Sequence, residues 1–405
     1  MKPLGGGWFL LERRGLRTLF NTHTLEIRIP GRNEPIPAEL PAEKPPKPPP
    51  PSIRVLQVVV TERCNLACSY CAAAGMRQSG RMLTGSDVPS VLDLCRDLCQ
   101  SDDPLFAVTG GEPLTAPKAL RSLLRKAWGR KVLFSNCTML TEGWIRLLQS
   151  TGTALVASLD GSRERHDAAR RYPDGSGSWE SVARGLDLAA QMDLPFGVSM
   201  VFRGGGAMEF LTETEELVRR FSPASLGVNL MHANPGGERG PDPGDYANIC
   251  AGLFSLSRRT GLFVDQVSRR LEPLVRRSVR FRDCSAMGEK AVIFPDLRVS
   301  GCVNDPETPP GSWSNRLPLN EEACSRCPAL GICGGGCAYD GIRLAGGGMD
   351  SRNCVWTLRL LEEMLLDIAR TFPECSPSRE ELQREYGYML SRGGSVLRSS
   401  LGHEQ

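Results

Sequence analysis

No stretch of this sequence approaches the roughly 18 to 20 consecutive apolar residues that a membrane helix needs. The apolar cluster nearest the N-terminus, Trp8 to Leu11, is cut short by Glu12, Arg13 and Arg14, so neither an export signal nor a span is expected. Charge of one sign is missing too: 49 Lys+Arg stand against 46 Asp+Glu, a net +3 over 405 residues. That leaves no basic field, and neither nucleic acid nor a membrane is expected as a partner. A cytoplasmic location is expected instead, where thiols stay reduced and a disulfide framework does not form. The fifteen cysteines therefore need another explanation, and metal binding leads.

Residues 1–34 hold short runs such as Leu25 to Ile29 that alternate apolar and polar, the pattern of a small β-hairpin appendage. From Pro35 to Pro51 there are nine prolines, a composition that favours extended polyproline II and reads as a linker. Over 52–240, apolar β-branched runs (Val55 to Val60, Phe106 to Thr109, Val132 to Ser135, Ala154 to Leu159, Phe196 to Phe202, Leu226 to Met231) alternate with helical periodicity. Six strands each followed by a helix predict an α/β fold, a partial (β/α)6 TIM-like barrel working at the strands' C-terminal ends. Residues 241–283 read as a helical, arginine-rich bridge with eight arginines against three acids between Arg258 and Asp283. That run is either a solvated helix face or a dock for an acidic leader peptide. Residues 284–375 are rich in cysteine and glycine, with little periodicity before a helix at Thr357 to Ala369, and 376–405 read as a C-terminal tail.

Directly after the first strand stand Cys64, Cys68 and Cys71, a C-x3-C-x2-C loop. Three thiolates so spaced can hold three irons of a 4Fe-4S cube and leave the fourth to an outside ligand, whereas zinc sites use paired C-x2-C knuckles. This loop, with Tyr70 before its last cysteine, resembles that of the radical S-adenosylmethionine (radical SAM) superfamily. Three later segments, each at a strand end, resemble that family's contacts to the cofactor: Gly110-Gly111-Glu112-Pro113, Ser135-Asn136, and Ser158-Leu159-Asp160-Gly161. The resemblance implies that Glu112 accepts from the methionine ammonium, that Gly110 and Gly111 permit close backbone approach, and that Ser135, Asn136, Ser158 and Asp160 meet ribose and carboxylate. One electron from the reduced cluster would then release a 5'-deoxyadenosyl radical that takes a hydrogen atom from substrate. His166-Asp167-Ala168-Ala169-Arg170 resembles a segment of peptide-modifying members, with Arg170 a carboxylate contact; a helix-start salt bridge is the plainer reading.

Downstream lie Cys284, Cys302, Cys324, Cys327, Cys333, Cys337 and Cys354, too many for one tetrahedral site. They resemble the SPASM extension, a cysteine-rich auxiliary-cluster domain, which implies three 4Fe-4S clusters in all. On that pattern Cys324, Cys327, Cys333 and Cys354 bind the distal auxiliary cluster, and Cys284, Cys302 and Cys337 the nearer one, which is left one thiolate short. Leu297 stands where the pattern has a turn glycine. Asp305, the acid nearest Cys302, is a candidate ligand or proton acceptor, against a turn role in Asn304-Asp305-Pro306. Cys95, Cys99, Cys137, Cys250 and Cys375 read as packed side chains.

SPASM-type members mostly modify peptides, so the resemblance implies an enzyme, a maturase of a ribosomally made precursor peptide that installs a cross-link, carbon-carbon favoured over thioether. An electron donor such as flavodoxin or ferredoxin, and a separate leader-peptide-binding protein, are implied partners. The alternatives are an anaerobic sulfatase maturase forming formylglycine and a non-catalytic iron-sulfur or zinc module.

Overall fold

The computed structural model describes residues 1–37, 39–74, 80–232 and 240–391. The chain divides into two compact units, one made of Pro51–Pro241 with Ser285–Ser314, the other of Met1–Pro50, Asp242–Cys284 and the described residues from Asn315 on.

In the second of these, the N-terminal residues build a four-stranded antiparallel sheet rather than one hairpin: β1 (Lys2–Gly5), β2 (Trp8–Arg13), β3 (Leu16–Asn21) and β4 (Ile27–Arg28), in that order. Two-residue β4 is too short to show an alternation. The proline-rich segment packs onto this sheet instead of hanging free. Ile36 and Leu40 cover Trp8, Leu10 and Leu19, and Trp8 Nε1 donates to the Pro41 carbonyl at 3.0 Å.

The other unit is the barrel. Strands β5 (Val55–Val59), β6 (Leu105–Thr109), β7 (Arg130–Ser135), β8 (Thr153–Ser158), β9 (Phe196–Phe202) and β10 (Ser225–Leu230) pair in parallel, each with the next in sequence. All of β5 is buried, as expected where both faces are covered and the strand reads as an unbroken apolar run. The crossovers carry α1 (Val88–Leu98), α2 (Pro117–Lys126), α3 (Glu142–Ser150), α4 (Arg163–Asp167), α5 (Trp179–Gln191) and α6 (Ala207–Phe221). In α2, for example, Ala119, Leu120, Leu123 and Leu124 form one buried stripe under an otherwise basic helix.

Helices α7 (Pro243–Thr260) and α8 (Asp265–Arg276), with the short β11 (Phe263–Val264) between them, belong to the unit that holds the N-terminal sheet. The chain then returns to the barrel unit. There β12 (Lys290–Ile293) adds in parallel to β5 and turns back as β13 (Val299–Ser300), so the strands run β10-β9-β8-β7-β6-β5-β12-β13. The turn between them puts Leu297 at φ 64°, the left-handed conformation that glycine supplies in the SPASM pattern. An L side chain there costs roughly 1–2 kcal/mol, so Leu297→Gly is expected to stabilise the chain by about 0.5–1 kcal/mol net of glycine's extra entropy. Denaturant unfolding of the variant checks this.

The remaining helices are α9 (Glu322–Ser325), α10 (Leu330–Cys333), α11 (Ala338–Ala345), α12 (Ser351–Thr371) and α13 (Arg379–Ser391). Helix α12 packs along α7, and α13 on α8. The expected tail is thus helical to Ser391, and its last part, 392–405, lies outside the described residues. Among the described residues, no helix is long and apolar enough to cross a membrane.

Candidate active site and cysteine centres

The loop after β5 is held by backbone bonds on two sides. Ala67 and Ser69 donate to the carbonyls of Arg171 and Ala169 at 2.7 and 3.1 Å, while Gly111 and Glu112 donate to those of Thr61 and Arg63 at 2.7 and 2.8 Å. A Cβ on Gly110 would sit 2.6 Å from the Thr61 oxygen, and one on Gly111 2.3 Å from that of Arg63. The two glycines therefore let the β6 loop dock on the base of the cysteine loop, a close approach between protein segments. Cys64, Cys68 and Cys71 are half-buried and in no disulfide, and Cys64 Sγ accepts from Leu66 N at 3.4 Å.

Glu112 is buried and braces two strand ends. Its Oε1 accepts from Leu114 N at 3.1 Å and Ser135 Oγ at 2.8 Å, and its Oε2 from Asn136 N at 2.7 Å. Burial raises its pKa against those three donors. Pro113 opens the 3-10 turn Pro113–Thr115 that aims Leu114 N at the carboxylate. The Asn136 amide donates to Asn65 Oδ1 at 2.9 Å and approaches Cys64 Sγ at 4.0 Å, which ties the β7 end to the cysteine loop.

Tyr70, Asp160 and Arg170, expected from three separate segments, meet. Asp160 is fully buried; its Oδ2 accepts from the Tyr70 hydroxyl and from Arg170 Nε at 2.8 Å, its Oδ1 from Val201 N at 2.9 Å. Burial opposes its charge, but Arg170 beside it and the Tyr70 hydroxyl hold the carboxyl below its ordinary range. Burial, with Asp160 adding to it, pushes the Tyr70 phenol well above its ordinary value, so it stays a donor. The guanidinium carbons of Arg170 and Arg203 lie 5.3 and 5.4 Å from the Tyr70 ring centroid. Ser158, half-exposed, ends β8, and Gly161 takes φ 82° in the turn that follows.

The histidine segment frames this group. His166 Nδ1 accepts from Asp160 N at 3.2 Å, so the hydrogen sits on Nε2, which faces Ser178 Oγ at 3.0 Å; that hydroxyl in turn donates to the Arg170 carbonyl at 2.7 Å. Asp167 Oδ1 accepts from Ser178 N and Trp179 N at the start of α5. Burial, then Arg170, lowers the His166 pKa from 6.5 to about 4. Between those values an unfolded chain binds a proton that the folded one refuses. This contribution is therefore full above about pH 6.5 and lost as pH falls toward 4, about 3 kcal/mol in all. Denaturation midpoints taken from pH 7 to 4 are expected to follow that slope, and His166→Gln to flatten it; an equally steep variant assigns the slope to other groups.

Six of the seven downstream cysteines, all but Cys302, lie in the unit that holds the N-terminal sheet. Cys324, Cys327, Cys333 and Cys354 are free thiols close enough to act on one another: burial first, then these neighbours, push Cys324 up to about 12 and Cys354 to about 11. Cys337 feels Cys284 and Asp340 instead. Glycines set the loop between the two groups, since a Cβ on Gly334 (φ 66°) would lie 2.6 Å from Asp283 N and one on Gly336 (φ 69°) 2.7 Å from Asn353. Cys302, in the barrel unit, is buried after β13, where its carbonyl accepts from Ser300 Oγ at 2.8 Å. Asp305 closes the turn after it: its N–H donates to the Cys302 carbonyl at 3.2 Å and its carboxylate accepts from Thr308 Oγ1 at 2.8 Å.

The arginine-rich segment is neither a solvated face nor an open dock. Arg270 is fully buried and grips Asp283 with both nitrogens at 2.7 and 2.9 Å; Arg280 and Arg269 reach the same carboxylate at 3.2 and 3.6 Å. Asp265 pairs with Arg269 at 3.0 Å, so three arginines share two acids. Arg270 faces Cys333 and Arg269 faces Cys284. Cations held beside thiols fit an anionic iron-sulfur centre there. Composition could not show that these arginines turn inward. The other cysteines fit packing: Cys95, Cys137 and Cys250 are fully buried, and burial pushes Cys95 and Cys250 up to about 12.

Residues 58–218 match the Radical SAM superfamily model. Among curated proteins, the AdoMet-dependent heme synthase of Oleidesulfovibrio alaskensis is 29% identical over 156 residues, 37% of this chain and 38% of that one. The serine-type anaerobic sulfatase-maturating enzyme of Klebsiella aerogenes is 25% identical over 197 residues, 46% and 47% of the two chains. The chain thus spans less than half the length of these relatives. Native anSMEcpe with bound AdoMet and Cp18Cys peptide superposes with TM-score 0.61 at 18% identity, over 78% of this chain and 99% of that one. Streptococcus suis SuiB bound to precursor peptide SuiA gives 0.55 at 15%, over 74% and 76%. At these identities the likeness to the solved structures is one of fold. The match to the radical SAM model, residues 58–218, falls on the α/β partial barrel expected from the sequence.

Proposed function

We propose that this protein is a radical SAM maturase that modifies a ribosomally made precursor peptide, most simply by installing a carbon-carbon cross-link after hydrogen-atom abstraction. The carrying observation is the convergence, at the C-terminal ends of β5 to β8, of a three-thiol loop, the Glu112 brace and the Tyr70-Asp160-Arg170 group. The donor set fits the cofactors. Cys64, Cys68 and Cys71 supply three thiolates, Leu66 N bonds the first sulfur, and the buried Arg170 cation faces Cys68. Bound there, a 4Fe-4S cluster and S-adenosylmethionine supply one-electron cleavage of a sulfonium and removal of a substrate hydrogen. The chain's own residues hold that site rigid. Glu112 fixes two strand ends, the glycines dock the loop, and Asp160 keeps Tyr70 and Arg170 in place. Cys324, Cys327, Cys333 and Cys354 are proposed to hold the distal auxiliary cluster, and Cys284, Cys302 and Cys337 the nearer one. A flavodoxin or ferredoxin as donor and a separate leader-binding protein complete the reading.

Formylglycine formation is the second reading, favoured by the sulfatase-maturating relative. Against it, Val303 and Asn304 separate Cys302 from Asp305, whose carboxylate is engaged by Thr308. Incubating the reconstituted protein with reductant, S-adenosylmethionine and either a candidate precursor or a sulfatase-derived Ser peptide separates the two. Loss of two hydrogens from the precursor without an aldehyde supports the cross-link; an aldehyde captured by hydroxylamine on the Ser peptide replaces it with the second reading.

A further inference from the structure

We propose that Asp340 is a protein ligand to the auxiliary cluster held by Cys284 and Cys337, filling the corner for which the sequence supplies no cysteine. This rests on the reading that the cysteine-rich segment binds clusters. Cys337 is the N-cap of α11, and the N–H groups of Tyr339 and Asp340 point at its sulfur. Asp340 lies on the same first turn, 4% exposed, with a carboxylate oxygen within 4.8 Å of Cys337 Sγ. Cys284 is drawn to the pair because Asp283 N donates to the Gly334 carbonyl at 2.8 Å, three residues before Cys337. A carboxylate and a thiolate this close repel each other. A metal ion shared by them reverses the sign of that interaction.

Arg352 is the competing partner. Its Nη2 lies 3.0 Å from Asp340 Oδ2, but also 2.9 Å from Asp350 Oδ2, so one guanidinium nitrogen serves two carboxylates. It neutralises only part of their charge, and a hydrogen-bonded cation on one oxygen is the usual way a ligating carboxylate is oriented. A carboxylate is a harder ligand than a thiolate and suits a cluster iron less well, so this corner is the one that exchanges for a substrate group.

The test uses the full chain carrying Cys64→Ala, Cys68→Ala and Cys71→Ala, so that only auxiliary signals remain, reconstituted anaerobically and followed by iron analysis and electron paramagnetic resonance. Asp340→Ala is expected to lose about one of eight irons and show a 3Fe-4S signal on oxidation. Asp340→Cys is expected to keep the four-iron signal with a more negative midpoint potential, and Arg352→Gln to keep the iron. Parental iron and spectrum in Asp340→Ala would overturn the assignment, as would the same loss in Arg352→Gln, which makes Asp340 only an ion-pair partner. If Asp340→Ala does not fold, an unchanged signal and potential in Asp340→Cys overturns it instead. A parent that holds no iron sinks the auxiliary clusters themselves, an outcome distinct from a parent with about eight irons and an indifferent Asp340.

Discussion

Cys64, Cys68 and Cys71 changed together to Ala are expected to abolish S-adenosylmethionine cleavage while the chain keeps about eight of about twelve irons. The loss is total because no other described thiol shares that loop, and the rest survives because the other cysteine set is carried by separate parts of the chain. Neither effect depends on the fold failing. The loop is pinned by backbone bonds to Arg171, Ala169, Gly111 and Glu112, which alanine side chains leave intact. Iron analysis with chromatography of the nucleoside product reads both. Retained cleavage would remove this loop from the mechanism, and loss of all iron would make the clusters interdependent.

The second large effect falls on Arg170. Replacing it with Met strips the fully buried Asp160 of the cation 2.8 Å away and leaves a charge without its partner. Breaking a buried pair from one side costs about 3–5 kcal/mol, or roughly a 10 °C fall in Tm at 2–4 °C per kcal/mol for a unit of this size. Asp160→Asn added to Arg170→Met is expected to recover part of that loss, since a neutral amide needs no counter-charge and still accepts from Val201 N. Thermal unfolding of the single and double variants checks it. Equal stability of the two variants would mean that Asp160 takes up a proton or water once Arg170, the main cause of its low pKa, is gone.

Much of the barrel is legible in the sequence because parallel strands buried on both faces appear as apolar runs, and β5 to β10 fall on the runs read there. Its appended hairpin is not, since β12 and β13 have four and two residues between polar loops. The start of α12 hides for a different reason: Arg352, Asn353 and Cys354 serve the charge and thiol groups, so the first turn lacks the apolar period that Leu360 to Ala369 display. Tyr70, Asp160 and Arg170 are each visible as motif residues, yet their mutual bonding is a property of the folded loops. The sequence marks Glu112 only as an expected cofactor contact, and the three protein donors that hold its carboxylate are visible in the structure alone. Asp340 carries no signal in the sequence, because an acid three residues after a cysteine is common and only its burial beside the Cys337 thiol singles it out.

The central claim is that the ends of β5 to β8 hold a cluster able to cleave S-adenosylmethionine reductively. The most direct measurement is 5'-deoxyadenosine formed by the wild-type protein, reconstituted anaerobically and given dithionite and S-adenosylmethionine, with the triple Cys-to-Ala variant alongside. The expected result is nucleoside from the wild type alone. A wild-type protein that carries its clusters and binds S-adenosylmethionine but forms no 5'-deoxyadenosine would contradict the account.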